Sequence, residues 1–364
     1  ACTERGVLVH DIGAQGRESD DKQGWEDRGG QISAMKQNRM SRLEPGLIDR
    51  FCMAFGRPWV FALAAAFVLT PTHLLLAAVK SGAAFLKIGA GARAAALGGA
   101  YTALADDADA IYYNPGALAG LERREFAATH AEHLLGAKFD FAGFVLPVSN
   151  GSVGFGVTRL SSGKLEGRGA DRSAGANFSA EDTAYSLGYG RQAAAGTRLG
   201  ANAKYLRSSL AGYSASGLAF DLGAQTRVPG RPLTLGFSAL NLGKGMRFLE
   251  QSDPLPFTLA AGAAYELGGT LRLAAELRRV VNDGRTALGL GTEYALLPGF
   301  ALRAGYGGAM GAGAEPSSAA GTGGVLGGFG GGFGLKLGRY RADYSFSPFG
   351  ELGGSQRLSL GARF

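Results

Sequence analysis

Cysteine and histidine are almost missing from this chain: it holds two cysteines, Cys2 and Cys52, and four histidines. Both cysteines precede an apolar stretch that begins at Met53, so nothing beyond it can supply a thiol nucleophile, a Cys-ligated zinc or a disulfide. Of the histidines, only His130 and His133 lie past that stretch. Three apart on a strand, they point to opposite faces, which is wrong for chelation and leaves no Ser-His-Asp set. Beyond residue 81 no apolar run is long enough for a spanning helix. The net charge of +7 is scattered, with no basic stripe carrying interleaved aromatics, which excludes nucleic acid as a partner. No enzymatic activity, cofactor or metal is expected.

What the chain has instead is glycine, 61 of 364 residues without a collagen period, and 46% hydrophobic content. It also has alternation. In the last ten residues Leu358, Leu360, Ala362 and Phe364 share one face of a strand, while Arg357, Ser359, Gly361 and Arg363 share the other. Leu199, Ala201, Ala203 and Tyr205 oppose Arg198, Gly200, Asn202 and Lys204 in the same way. Leu271, Leu273, Ala275 and Leu277 oppose Arg272, Ala274, Glu276 and Arg278. Phe300, Leu302, Ala304 and Tyr306 oppose Ala301, Arg303 and Gly305. Tyr340, Ala342, Tyr344 and Phe346 oppose Arg339, Arg341, Asp343 and Ser345.

Each run is about as long as a tilted strand needs to cross a bilayer, roughly 9–11 residues. About fourteen such runs fall between Arg123 and Phe364, the even number that an up-and-down barrel closes with. The expected fold is an all-β transmembrane antiparallel barrel over 123–364, apolar side to lipid and polar side to the lumen. Short turns such as Ser149-Asn150-Gly151, Asn282-Asp283-Gly284 and Pro298-Gly299 suit tight reversals. The connections 163–178, 243–255 and 309–323 read as longer loops at the opposite end. Leu358, Leu360 and Phe364 are the expected assembly signal, read by the barrel-assembly machinery, with outer-membrane lipid as the barrel's surroundings.

Upstream, Arg57, the apolar run Trp59–Leu69 and Leu74-Leu75-Leu76-Ala77-Ala78 make 53–78 a secretory signal peptide by pattern, cut after Ala77 or Ala78. A membrane anchor is the rival; Pro71, Thr72 and His73 in its middle argue against it. Sec-dependent export to the outer membrane follows. Residues 1–52 begin without Met and have a disordered composition. They read as an over-extended frame with a start at Met40 or Met53, the alternative being a cytosolic tail.

Between signal and barrel, 79–122 is dense in small residues and reads as a lumen plug. Irregular backbone at membrane depth is tolerated only where protein or water satisfies it, as inside a barrel. Its candidates for lumen contacts are Arg93, Asp106, Asp107, Asp109, Asn114 and Pro115. The three aspartates would meet lumen-facing Arg and Lys, Asn114 would cap a turn, and Pro115 would fix φ there. Gly89-x-Gly91-x-x-Ala94 also fits a dinucleotide fingerprint, but that motif needs a βαβ unit and hairpins follow instead.

The stretch Gly91-Ala-Arg-Ala-Ala-Ala-Leu-Gly-Gly-Ala-Tyr-Thr-Ala-Leu-Ala-Asp-Asp107 with Tyr113-Asn-Pro-Gly-Ala-Leu118 resembles the PorV/PorQ family of outer-membrane proteins, within the FadL-like (long-chain fatty-acid transporter) superfamily. Weaker matches are Leu240-Asn-Leu-Gly243 with Pro254-Leu-Pro256, Gly262-Ala-Ala-Tyr265, Leu302-Arg-Ala-Gly-Tyr306 and Asp343-Tyr344. The order Asn114-Pro115-Gly116-Ala117-Leu118 departs locally from that family's Asn-Pro-Ala-Gly-Leu. The resemblance implies protein export, in which secreted proteins with C-terminal sorting domains are the partners. The wider superfamily implies a passive channel for hydrophobic small molecules, and a structural barrel without cargo is the third reading.

Overall fold

The computed structural model describes residues 81–133, 136–168, 173, 175–248, 250–310, 328–348 and 354–364. The expected signal peptide and the segment before it lie outside these residues. Alternation dictates the architecture: a strand apolar on one face and polar on the other can bury its backbone bonds in a closed sheet between lipid and lumen. Seven strands form the first half, β1 (Glu125–Glu132), β2 (Lys138–Val148), β3 (Gly151–Leu165), β4 (Phe178–Ala194), β5 (Thr197–Leu210), β6 (Tyr213–Arg227) and β7 (Leu233–Gly243). After a small hairpin of β8 (Met246–Phe248) and β9 (Gln251–Asp253), seven more follow. These are β10 (Thr258–Leu267), β11 (Leu271–Val280), β12 (Arg285–Leu297), β13 (Phe300–Met310), β14 (Phe329–Leu337), β15 (Tyr340–Pro348) and β16 (Gly354–Arg363).

Each of the fourteen pairs antiparallel with its neighbours, and β16 closes on β1. The closing seam sets Phe126 opposite Ala362 and Glu125 opposite Arg363. The outer face is apolar as expected: Tyr185, Leu187, Leu218, Phe220, Leu302, Tyr340, Leu358, Leu360 and Phe364 are all exposed. Two-residue turns at 149–150, 195–196, 298–299 and 338–339 lie at one end, together with 228–232, 268–270 and both ends of the barrel sheet. We call this the tight-turn end.

Two expectations about the loops need correction. The turn at 281–284 lies at the opposite end, and so does the two-residue turn Ala211–Gly212, whose φ values are both positive. Short and long connections therefore share that end. The stretch 243–255, expected as a loop, folds the β8–β9 hairpin back over the lumen. Three-residue strands are too short for alternation to reveal them.

Residues 81–121 run through the barrel. Ser81 sits at the loop end, its backbone N–H donating to Asp283 Oδ1 at 3.1 Å, and Lys87 pairs with the same carboxylate at 3.0 Å. Leu121 reaches the tight-turn end, where its carbonyl accepts from Ser152 Oγ at 2.9 Å. In between, the segment holds a 3₁₀ turn (Ala84–Lys87), α1 (Ala92–Ala96), α2 (Ala110–Tyr113) and a second 3₁₀ turn (Pro115–Gly120). Leu97, Tyr101, Ile111, Tyr113 and Leu118 are fully buried in a core completed by Phe139, Phe141 and Val145 of β2. A second cluster, Phe85, Leu86, Leu206, Met246 and Leu255, closes the loop end.

Candidate functional site: the plug and its two walls

Glycine explains how the plug fits. Lumen-facing glycines lie directly under plug backbone: a Cβ on Gly291 would stand 2.7 Å from Leu97 O, and one on Gly190 2.7 Å from Pro115 O. Gly200 faces Pro115, Gly223 faces Asn114, Gly236 faces Thr102 and Gly305 faces Gly98, each closer than a real Cβ tolerates. Backbone packed on backbone leaves no room for a methyl group.

Asn114 is the hinge of this contact. Its Nδ2 donates to Thr102 O at 2.8 Å and to Ala224 O at 2.9 Å, and its Oδ1 accepts from Gly116 N at 3.0 Å. The last bond caps the 3₁₀ turn, and Pro115 stands at its first position, where a missing N–H costs nothing. Three bonds nearly exhaust the amide, so a fully buried Asn is satisfied. Gln225 Nε2 likewise holds Ala103 O and Ala105 O at 3.0 and 3.1 Å. Asn202 reaches Ile111 O at 3.3 Å and Asp221 at 2.9 Å. Glu276 accepts both the Tyr101 and Thr102 N–H groups, at 2.8 and 2.7 Å.

The opposite wall is charged. Arg93, at the buried face of α1, forks onto Glu293 of β12 with 2.7 and 2.9 Å bonds. It also meets Asp106, Asp107 (3.5 Å) and the Tyr101 hydroxyl (3.1 Å). Glu293 is shared with Arg303 at 2.7 Å and Arg272 at 3.3 Å. Arg303 pairs onward with Asp343, and Arg341 bridges Asp343 and Asp107 at 2.8 Å each. Arg363 closes the lattice on Glu125 at 2.8 Å. Five guanidiniums thus meet five carboxylates; seven of the ten groups are buried or nearly so, where charge pairs interact strongly, while Asp106, Arg272 and Arg363 at the edge stay partly exposed.

Asp109 is the exception. It is fully buried, has no ion-pair partner among the described residues, and its Oδ1 accepts no bond. Its other oxygen fills the space where a side chain at Gly91 would be, which, with a positive φ of 78°, accounts for that glycine. Burial first, and then the neighbouring Asp107 charge, push the Asp109 carboxyl well above the usual range. Burial acts on Asp107 in the same sense, but Arg341, Arg93 and the Tyr101 hydroxyl, which donates at 2.6 Å, outweigh it and hold that carboxyl low.

Of the expected lumen residues, the structure gathers Arg93, Asp106 and Asp107 into one lattice. It places Asp109 beside them unpaired and sets Asn114 and Pro115 against the other wall. The alternation had put Glu276, Arg303, Arg341 and Asp343 on lumen faces without naming their partners. Glu293, Tyr101, Gln225 and Asn202 carried no singling signal beyond strand parity or proximity to the plug motif. The Leu240–Gly243 motif proves to be a bulge in β7. Asn241 there takes a left-handed φ of 62°, its N–H donates to Asp221 Oδ1 at 2.7 Å, and its Oδ1 accepts from Lys204 at 2.9 Å.

Space remains outside the plug. At the tight-turn end, cavities of about 400 Å³ and 260 Å³ flank Asp106 and Arg272. On the outer wall an apolar groove of about 560 Å³ crosses β10–β14 between Tyr265, Leu273, Leu290, Tyr306 and Phe329. Its lining includes Gly291 and Gly305, whose inner sides carry Leu97 and Gly98 of the plug. Only backbone separates groove from plug there.

Residues 77–218 match an uncharacterised protein family (UPF0164). No curated protein sequence matches the chain. Among solved structures, the toluene transporter TodX of Pseudomonas putida superposes with a TM-score of 0.56 at 14% identity, covering 76% of this chain and 99% of that one. The toluene transporter TbuX of Ralstonia pickettii gives a TM-score of 0.53 at 14% identity, over 76% and 98% of the two chains. A FadL homologue of Pseudomonas aeruginosa gives 0.50 at 14% identity, over 75% and 97%. The chain therefore has the fold of these FadL-like transporters, closed with fourteen strands.

Proposed function

We propose that this chain is an outer-membrane conduit for hydrophobic small molecules, with its own N-terminal segment as plug. The observation that carries the proposal is a lumen filled by residues 81–121, in a barrel whose architecture runs the full length of solved hydrocarbon transporters. An apolar groove lies back to back with the plug turn Leu97–Ala100, across the glycine wall of β12 and β13. An apolar molecule needs no aqueous pore. It needs an apolar path and a plug that can shift, and at Gly291 and Gly305 a single layer of backbone parts the groove from the plug turn. The chain performs no chemistry on what it passes.

Expression of the mature chain in the outer membrane of a strain without a FadL-type barrel should raise uptake of radiolabelled toluene or a long-chain fatty acid. Folded, heat-modifiable barrel with uptake of both probes equal to the empty vector would overturn the proposal. The export reading draws support from the N-terminal motif alone. Its signature would be co-purification of secreted proteins sharing a C-terminal sorting domain, without bound apolar molecules.

A further inference from the structure

Arginines at the tight-turn end differ in one respect. Arg93, Arg272, Arg303, Arg341 and Arg363 each lie within ion-pair distance of a carboxylate. Arg198 of β5 and Arg227 of β6 do not, among the described residues, although both line the 400 Å³ cavity roofed by Ala103–Asp106. Arg198 is held in place without an ion pair among the described residues; Glu122 and Asp106 act on it only from beyond that distance. Its Nη1 donates to Gln225 Oε1 at 3.0 Å, and Gln225 is itself oriented by its two bonds to the plug carbonyls of Ala103 and Ala105. The plug backbone at Gly120 lies so close to the guanidinium that any side chain there would strike it. None of the nearby acids forms an ion pair with either arginine: Asp106 is engaged by Arg93 and Arg272, and Glu122 and Glu266 are exposed.

Two guanidiniums facing one water-accessible cavity repel each other, and a fixed fork with free N–H groups matches an oxyanion. We propose that this cavity is a binding site for an oxyanion, the phosphate or carboxylate group of a solute small enough for about 400 Å³, reaching it from the tight-turn end. The site stands apart from the outer groove and does not depend on the conduit reading.

The test uses the folded barrel in neutral detergent and follows its heat-modifiable unfolding in phosphate or succinate against chloride at equal ionic strength. Either oxyanion should raise the unfolding temperature of the wild type, because a ligand that binds only the folded form stabilises it. In R198Q/R227Q the half-saturating concentration should rise at least about tenfold. R227Q alone keeps the half-buried Arg198 contacts and serves if the double variant fails to fold; R231Q, outside the cavity, should respond as the wild type does. An equal response in wild type and R227Q, or none in the wild type, would overturn the proposal. A response to phosphatidylglycerol micelles without one to either free oxyanion would also overturn it, placing the anion at the lipid-facing rim.

Discussion

The two walls that grip the plug do so by different physics. Along β11–β16 a lattice of arginines and carboxylates around Arg93, Glu293, Asp107 and Arg341 is added to the glycine contacts at 291 and 305. Along β4–β7 the grip is shape: glycines 190, 200 and 223 against the backbone of 114–119, with neutral amides fixing the register. A charge lattice acts over several ångströms, so it tolerates small shifts and answers to pH. Glycine contacts act only at touching distance, so they hold one position or none. The plug is thus located by touching contacts on both walls, and on one of them it is also tied by charge.

The largest expected effect is on the charged wall. Arg93→Gln takes the plug's own cation from the lattice; Glu293 keeps Arg303 and Arg272 and the half-exposed Asp106 keeps Arg272, so the cost lies near the lower end of the about 3–5 kcal/mol for breaking a buried pair. The variant should lose much of its plug protection, read as faster proteolysis within 91–107 while the barrel remains heat-modifiable. Arg93→Gln combined with Glu293→Gln should recover part of the loss in a double-mutant cycle, since both charges are then gone. Unchanged proteolysis in the single variant would mean that the lattice does not seat the plug.

A smaller effect belongs to the glycine wall. Gly200→Ala sets a methyl group against the Pro115 carbonyl, and overpacking of this kind costs about 1–3 kcal/mol. Because that wall holds a single position, the whole 114–121 segment should shift, giving new proteolytic cuts there and leaving Arg93 protected. Gly212→Ala strains its own turn, where φ is 87°, but has no atom of the plug within 4 Å of its Cβ and should leave the plug untouched; cuts near 114–121 in both variants would break the distinction between the walls.

Much of this fold was legible in residue order because a strand's two faces repeat every second residue. The runs around Tyr205, Leu273, Leu302 and Tyr344 announce both the barrel and the inward side of Lys204, Arg303 and Asp343. The plug was legible as a run of small residues, and the expectation that its acids meet lumen arginines holds for Asp106 and Asp107. It fails for Asp109, because three aspartates within four positions look alike in sequence; they differ in which guanidiniums lie in reach from strands some two hundred residues away. The glycine fingerprint at 89–91 had a local cause that no motif could disclose, since Gly91 makes way for the Asp109 carboxylate. Nor could alternation foresee β8–β9, whose strands are three residues each.

The smallest effect sharpens the charged wall from within. Asp107 and Asp109 lie two residues apart and titrate in opposite directions. The low carboxyl of Asp107 contributes stability above the usual carboxylate range, and that contribution is lost as pH falls through its lowered folded value. Asp109 has the reverse sign: the folded form holds its proton, so its contribution is present in acid and is lost as pH rises through its raised value. The charged groups acting on it are Asp107, Arg341, Asp343 and Glu125, three acids against one base, so ionising it adds a fourth negative charge to a buried site. Asp109→Asn keeps the shape of the neutral form. Its stability at neutral pH should lie within about 1 kcal/mol of the wild type's or above it, and should decline less toward alkaline pH. Asp107→Asn should instead destabilise at neutral pH and show a shallower loss in acid, because the carboxylate that acid would neutralise is already gone. Equal losses in the two variants across the pH range would mean that Asp109 is ionised and paired like its neighbour, and that the lattice holds six carboxylates rather than five.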